Sequence, residues 1–302
     1  MRYSLYSRFQ GTLIGSLIGL ELEKKNPSEI GWLNLNYKLI KMLAQKGEIS
    51  TEDWLILDTE NPLSSPNYRS MNLGELMLGI LPLILFFHDA PSLLEEQLQP
   101  LIVKGKDAPE KQEILKIWVQ LLILILTENV PVNNIISHLL TNHSCSCQFL
   151  IEQLETAQQF LAQKTPLNQV KDHFVQQSSL EQSALILGLY CFIGTPEEFA
   201  LSLRRAYQLK SPVIIALTGA IAGAYNSIDG IPNHWHLAWK QSRTSEDIRQ
   251  TIGNFWAMWT GVSSLEGINW HFEDIAVNSP GIMQKCLSMK LISQKQYFSG
   301  ES

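Results

Sequence analysis

The sequence predicts an all-α fold, a single compact domain of many helices. Apolar residues recur at helical spacing along most of the 302-residue chain, and no stretch has the strict alternation of a β-strand. The links between helical segments are short and contain proline or glycine, as at Val130-Pro131 and Thr165-Pro166. Many ordinary helices joined by short links are typical of one α domain. We expect this helical domain over residues 1–263, with a loop-rich extension packed on it over residues 264–302 that ends in a frayed tail.

The composition is that of a globular protein with an acidic surface. Hydrophobic residues make up 45% of the chain, and 29 acidic against 23 basic residues give a net charge of −6. Such a surface repels phosphate backbones, which argues against nucleic acid as a partner. The start of the chain lacks a signal-peptide pattern, and the apolar runs at 76–87 and 118–126 are shorter than the roughly 20 residues that cross a bilayer. We therefore expect a cytoplasmic protein without a membrane span.

The first predicted helix combines an apolar stripe with regularly spaced glycines. The stripe runs from Phe9 to Leu22, and Gly11, Gly15 and Gly19 lie four residues apart on one face. Glycine lowers helix stability, so the close packing of another helix has to offset this cost. The pattern predicts a helix–helix contact along the glycines.

The next segments carry clear helix-end signals. Residues 33–46 predict a helix that ends at Gly47, a natural C-cap. Ser50, followed three residues later by Asp53, predicts a variant of the capping box at the start of another helix. Residues 58–72 are polar and predict a loop before the first of the two apolar runs.

Periodicity predicts helices through most of the remaining chain. The run Thr-Pro-Glu-Glu at 195–198 predicts a helix start, because it offers a hydroxyl cap, a first-turn proline and acids at the positive end of the helix dipole. The predicted helices are 92–104, 110–127, 131–141, 147–163, 166–177, 180–193, 196–208 and 212–227.

The most specific pattern in the chain lies at residues 183–235. A Leu-Tyr-Cys-Phe segment at 189–192 precedes Thr-Gly-Ala-Ile-Ala-Gly-Ala-Tyr at 218–225 and Ile-Pro-Asn-His-Trp at 231–235. This text resembles the C-terminal half of the ADP-ribosylglycohydrolases, the family that includes the dinitrogenase-reductase-activating glycohydrolases. The glycine-rich first helix and the first apolar run also resemble this family. The small residues equally suit a thin helix at the centre of a bundle, with or without any activity.

The resemblance implies cleavage of the bond between ADP-ribose and a side chain, with two Mg or Mn ions held by acids from three segments. The family's aspartate after the glycine that closes the first helix corresponds to Leu20. Its Thr-Asp-Asp-Thr run corresponds to Ile-Gly-Trp-Leu at 30–33, and its Gly-Gly-Asp-x-Asp-Thr turn to 208–213, where Lys210 and Pro212 replace the aspartates. An ammonium repels a cation. We therefore predict no metal, no cofactor and no catalytic residue, and we interpret the chain as a pseudo-enzyme.

Three functions follow from this interpretation. The first is that the protein binds an unknown protein partner. The second is that it holds an ADP-ribose-like ligand in a remnant cleft, with Lys210 and Ser211 as candidate binding residues. The third is that it is an assembly subunit that acts through its helical surface. The alternative is an active hydrolase with a shifted site around Glu21, Glu23 and Glu75. Glu21 and Glu23 are two residues apart and do not share a helix face.

Histidines and cysteines provide weaker candidates. His143, Cys145 and Cys147 alternate as possible metal ligands, but a fourth ligand is missing, and we interpret them as a polar turn with buried thiols. His234 and His236 flank a tryptophan and are expected as core or surface histidines rather than ligands.

Two further groups have a structural interpretation. His88-Asp89 follows an apolar run, so we interpret it as a helix end rather than a catalytic pair. Trp256 and Trp259 are three residues apart on a helix, which favours core packing over a stacking platform for a ligand.

Overall fold

Helix-forming segments of the sequence become α-helices in the computed structural model, which describes residues 3–21, 31–59, 68, 71–101, 108–142, 147–180, 182–240 and 245–261. These residues contain no β-strand, which confirms the predicted all-α class. In chain order the helices are α1 (Leu5–Glu21), α2 (Gly31–Lys46), α3 (Thr51–Thr59), α4 (Leu73–Gly79), α5 (Leu81–Phe87), α6 (Pro91–Leu98), α7 (Ala108–Thr127), α8 (Ile135–Asn142), α9 (Gln148–Ala162), α10 (Leu167–Gln177), α11 (Ala184–Ile193), α12 (Phe199–Tyr207), α13 (Pro212–Asn226), α14 (Asn233–Lys240) and α15 (Ser245–Thr260).

The centre of the fold is the pair α1 and α13, which lie against each other along their glycines. A Cβ atom placed on Gly15 would meet the carbonyl oxygen of Gly219, and one on Gly11 would meet that of Gly223. The two backbones are therefore in direct contact, and the predicted close approach of another helix is confirmed. Helices α4, α7, α11 and α12 pack around α13, whose residues are almost all buried.

The first apolar run forms two helices instead of one. Helix α4 ends and α5 begins around Ile80, because Pro82 in the first turn of α5 lacks an N–H group. Side chains of neighbouring helices bind carbonyl groups at this break: Asn36 Nδ2 donates to the carbonyl oxygen of Leu78 (3.1 Å), and Trp118 Nε1 to that of Met77 (2.9 Å).

The helix-end signals around α2 and α3 are confirmed. Gly47 has a φ of +73° and its N–H donates to the carbonyl oxygen of Leu43 (2.9 Å), which ends α2. The Asp53 N–H donates to Ser50 Oγ (3.2 Å) and the Ser50 N–H donates to Asp53 Oδ2 (2.9 Å). Helix α3 continues through Thr59, so the loop predicted from residue 58 starts too early.

The helix start predicted at residues 195–198 is wrong, since α12 begins at Phe199. Thr195 Oγ1 donates to the carbonyl oxygen of Cys191 (3.4 Å) at the end of α11 and also bonds the hydroxyl of Ser202 (3.1 Å). The Thr195 hydroxyl therefore links the end of α11 to the Ser202 side chain of α12 and does not cap the N–H groups of α12. Residues 195–198 form a turn, with the Glu198 N–H donating to the carbonyl oxygen of Thr195 (3.2 Å).

Other predicted boundaries differ less. The helix expected from residue 180 begins as α11 at Ala184, and the one expected from 131 opens with a 3₁₀ turn, Val132–Asn134. Both apolar runs belong to a continuous hydrophobic core. Within the described part of the chain, no helix has both the length and the apolar character needed to cross a membrane. The extension predicted over 264–302 lies outside the described residues.

Candidate functional site

The end of α1 meets the start of α13, which are two of the three segments where the resemblance implies metal-binding acids. A Cβ atom on Gly19 would lie 2.9 Å from the carbonyl oxygen of Ile215, in the first turn of α13. Helix α4 begins beside them, because a Cβ atom on Gly74 would meet the side chain of Val213. We call this region, residues 19–20, 72–75 and 210–216, the α1–α13 junction.

The junction carries a cation and a helix start. Lys210 has a φ of +56° and its N–H donates to the carbonyl oxygen of Tyr207 (3.1 Å), which closes α12 and leaves the side chain exposed. No carboxylate of the described residues forms an ion pair with Lys210. Ser211 is half-buried before Pro212, and its hydroxyl makes no capping hydrogen bond. An ammonium and the positive end of a helix dipole both favour an anion over a cation here.

The segment at 30–33, where the resemblance implies two more acids, contributes a core side chain. Residue 30 lies outside the described residues, and Gly31 begins α2. Trp32 is 2% exposed and belongs to the hydrophobic core. An indole offers no oxygen ligand to a hard cation.

Of the three acids of the alternative site, Glu75 caps a helix, Glu21 ends α1, and Glu23 lies outside the described residues. Glu75 is in the first turn of α4, where its Oε2 accepts from the Asn72 N–H (3.2 Å) while Asn72 Oδ1 accepts from the Glu75 N–H (2.9 Å). Glu75 therefore lies in the junction, but its carboxylate completes a capping box. Glu21 is the last residue of α1, and Glu23 falls outside the described residues.

The described residues contain no group of three histidine, cysteine, aspartate or glutamate side chains placed to hold a metal ion. Of the three possible metal ligands at 143–147, the structure describes only Cys147, which is half-buried before α9. His143 and Cys145 lie outside the described residues. His234 is exposed and His236 half-buried on α14.

His88 ends α5 as predicted, but its aromatic surroundings could not be predicted from the local sequence. Its Nδ1 lies 2.9 Å from the carbonyl oxygen of Leu85, and its ring centroid is 5.5 Å from that of Phe9 and 5.4 Å from that of Trp259. Burial lowers the pKa of His88. Trp259 is 3% exposed and belongs to the core, whereas Trp256, 4.9 Å away from centroid to centroid, is half-buried against it.

Arg8 is a buried cation that the sequence did not single out. Its Nη1 donates to the carbonyl oxygens of Ile125 (2.9 Å) and Leu126 (3.2 Å) at the end of α7, and it forms an ion pair with Glu128. Burial lowers the pKa of Arg8. These bonds satisfy two of the last carbonyls of α7, so Arg8 ties α1 to α7.

The fully buried thiol of Cys191 is unsuited to nucleophilic chemistry. Burial raises its pKa to about 12, so the reactive thiolate is negligible at neutral pH. Arg205 lies beside it with its guanidinium carbon 5.6 Å from the ring centroid of Tyr190, whose hydroxyl donates to the carbonyl oxygen of Thr165 (2.6 Å). This cluster joins α11, α12 and the turn after α9.

No protein-family model matches the chain, and no curated protein matches it either. The relationship to the ADP-ribosylglycohydrolases therefore stays a prediction from the residue patterns.

Proposed function

We propose that this chain is a non-catalytic protein of the ADP-ribosylglycohydrolase type, which binds a protein partner or an ADP-ribose-like ligand in the cytoplasm. The observation that carries the proposal is the contact between the end of α1 and the start of α13. Gly19 contacts Ile215 in the first turn of α13, and Leu20, Lys210 and Pro212 stand in the neighbouring sequence where the resemblance would have acids.

Hydrolysis in such a fold depends on metal ions that orient the substrate and activate a water molecule. Hard divalent cations bind through several oxygen ligands, among them carboxylates. An aliphatic residue, a proline and an ammonium supply none, and the buried Trp32 adds none from α2. A cation entering the junction would also be repelled by Lys210.

The same features suit an anionic group. Lys210 is exposed beside Ser211, whose hydroxyl is not used as a cap. An ammonium and a free hydroxyl are donors that a phosphate group accepts. A diphosphate such as that of ADP-ribose is therefore the small ligand that the junction favours.

The second candidate function is hydrolysis at a shifted site. It is favoured by the position of Glu75, which lies in the junction beside the first turn of α13. The capping box uses the backbone N–H and one carboxylate oxygen of this residue, so a catalytic Glu75 would have to share its carboxylate with the cap of α4.

Thermal unfolding of the full chain separates the two functions. MgCl₂ or MnCl₂ alone should leave the Tm unchanged, whereas ADP-ribose at about 100 times its Kd should stabilise a ligand-binding protein by about 2.7 kcal/mol. The Lys210→Gln variant should lose this rise. Lys164→Gln is the matched control, because Lys164 is also exposed with a positive φ, of +54°. A Tm that rises with the metal alone would contradict the proposal and support hydrolysis.

A further inference from the structure

Helix α15 packs against α1 and α5 through aromatic side chains. The ring centroid of Phe255 lies 6.2 Å from that of Phe9 on α1 and 5.4 Å from that of Phe86 on α5. Trp256 and Trp259 lie on either side, with centroids 5.2 Å and 5.7 Å from that of Phe9. Apolar contact therefore supplies most of the attraction that holds α15 to these two helices.

The same contact buries two polar groups that face each other. Trp259 Nε1 is buried and finds no acceptor among the described residues. His88 is 7% exposed, lies against this indole, and has its Nδ1 on the carbonyl oxygen of Leu85 in its own helix. A buried donor without an acceptor costs about 1–3 kcal/mol. Water would solvate both groups once α15 moved away, so they oppose the docking of this helix.

The charges around His88 do not favour a proton on its ring. Of those in the described helices, only Asp89 acts on it, and this exposed carboxylate raises the pKa less than burial lowers it. On α1, Arg8 is directed to the end of α7, and on α15, Arg249 precedes Trp259 by about 15 Å along the helix. The acids of α6 at residues 95–96 are exposed. The docked helix therefore favours the neutral ring.

Helix α15 lies outside the central group of helices. Helices α1, α4, α7, α11 and α12 surround α13, whereas α15 packs mainly against α2. The preceding helix, α14, leaves His234 and Leu237 exposed and so offers α15 little anchorage. Parts of a fold at the edge of the core open locally at a lower free energy than its centre.

We infer that α15 is a detachable helix whose release from α1 and α5 is promoted by protonation of His88. In the docked state the imidazolium would be held between apolar rings, whereas water solvates it after release. Release also frees the Trp259 N–H group and uncovers Phe9 and Phe86, so mild acid increases the exposure of an apolar surface while α13 and its neighbours stay packed. This is a regulatory property of the fold, separate from the partner or ligand binding of the proposed function.

Hydrogen–deuterium exchange of the full chain, followed by mass spectrometry, tests the inference. Rates are corrected for the intrinsic pH dependence of amide exchange, and peptides from α15 are compared with peptides from the buried α11. We expect α15 to be less protected than α11 at pH 7.5. Its protection should fall about tenfold by pH 5.5, because the solvated ring takes up a proton near pH 6.5 and the docked ring does so only at lower pH.

Three variants assign the effect to one ring. His88→Asn has no ring to protonate, so the protection of α15 should not change between the two pH values. Asp89→Asn removes the acid that favours the protonated ring, at an exposed position, and should move the acid response of α15 to lower pH. His234→Asn, at an exposed position of α14, should respond like the wild type.

Several results would overturn the inference. Equal exchange rates in α15 and α11 would show that α15 opens only with the whole fold. Protection of α15 that stays constant or rises in acid would show that a cation–π contact with Trp259, of about 0.5–2 kcal/mol, outweighs the burial of the charge. An acid response that persists in His88→Asn, or that is not shifted in Asp89→Asn, would assign the effect to another group.

Discussion

At the scale of single residues, His88 connects the protonation state of one ring to the packing of three helices. Its ring lies between Phe9 of α1 and Trp259 of α15, at the end of α5. Burial lowers the pKa of His88, against the opposing effects of its hydrogen bond to the Leu85 carbonyl and of the charge of Asp89. The folded state therefore favours the neutral ring, whereas the unfolded chain takes up a proton near pH 6.5.

We predict that acid weakens the fold through His88. The stabilisation by the neutral ring is fully present above about pH 6.5 and is lost as the pH falls through the lower, folded-state pKa. The Tm of the wild type should therefore fall more between pH 7.5 and pH 5 than that of His88→Asn, which has no ring to protonate. His234→Asn, at an exposed position of α14, should keep the wild-type dependence. Equal pH dependence of the His88 variant and the wild type would refute the prediction.

At the scale of helices, the α1–α13 contact leaves no room for a side chain larger than that of glycine at its contact positions. We predict that Gly15→Ala destabilises the protein by about 3 kcal/mol or more, because its new methyl group would overlap the Gly219 carbonyl and force the two helices apart. Gly188→Ala on α11 is the matched control, since its Cβ would lie 3.4 Å from Thr218 Oγ1, close to an ordinary contact. Alanine also favours a helix over glycine by about 1 kcal/mol.

Urea unfolding curves of the two variants measure this difference. The midpoint should fall sharply for Gly15→Ala and change little for Gly188→Ala. A similar small effect in both variants would show that α1 and α13 can separate by the width of a methyl group at little cost, contrary to the backbone contact.

The helices could be predicted from sequence where their signals are local. The spacing of Gly11, Gly15 and Gly19 predicted the close helix contact, and the three-residue spacing of Ser50 and Asp53 predicted a helix start. The structure confirms both. The start of α12 could not be predicted, because the Thr195 hydroxyl bonds the carbonyl oxygen of Cys191 and the hydroxyl of Ser202 instead of capping the N–H groups of the first turn of α12. Such a choice depends on how the helices pack, which no local pattern contains.

At the scale of the whole molecule, the important contacts join distant parts of the chain. Arg8 binds the carbonyl oxygen of Ile125, 117 positions away, and His88 lies between α1 and α15. Periodicity carries no information about such pairs. Gly19 contacts Ile215 and Ala216 from a distant part of the chain. The family resemblance, which implies that these two segments meet, stays a prediction.

The proposed loss of metal binding can be tested by placing carboxylates at the α1–α13 junction. We predict that a variant with Leu20→Asp, Lys210→Asp and Pro212→Asp gains a rise in Tm with millimolar MnCl₂ that the wild type lacks, because three carboxylates would replace an aliphatic side chain, a cation and a ring at adjoining helix ends. Lys164→Asp, which places one new carboxylate at the equivalent position after α9, should gain no rise.

Hydrolysis of ADP-ribosylated substrates should stay absent, since Trp32 still occupies the core position at the start of α2. If the triple variant folds but ignores Mn²⁺, the α1–α13 junction is not a lost metal site, and the family relationship would have to be abandoned as the basis of the proposed function.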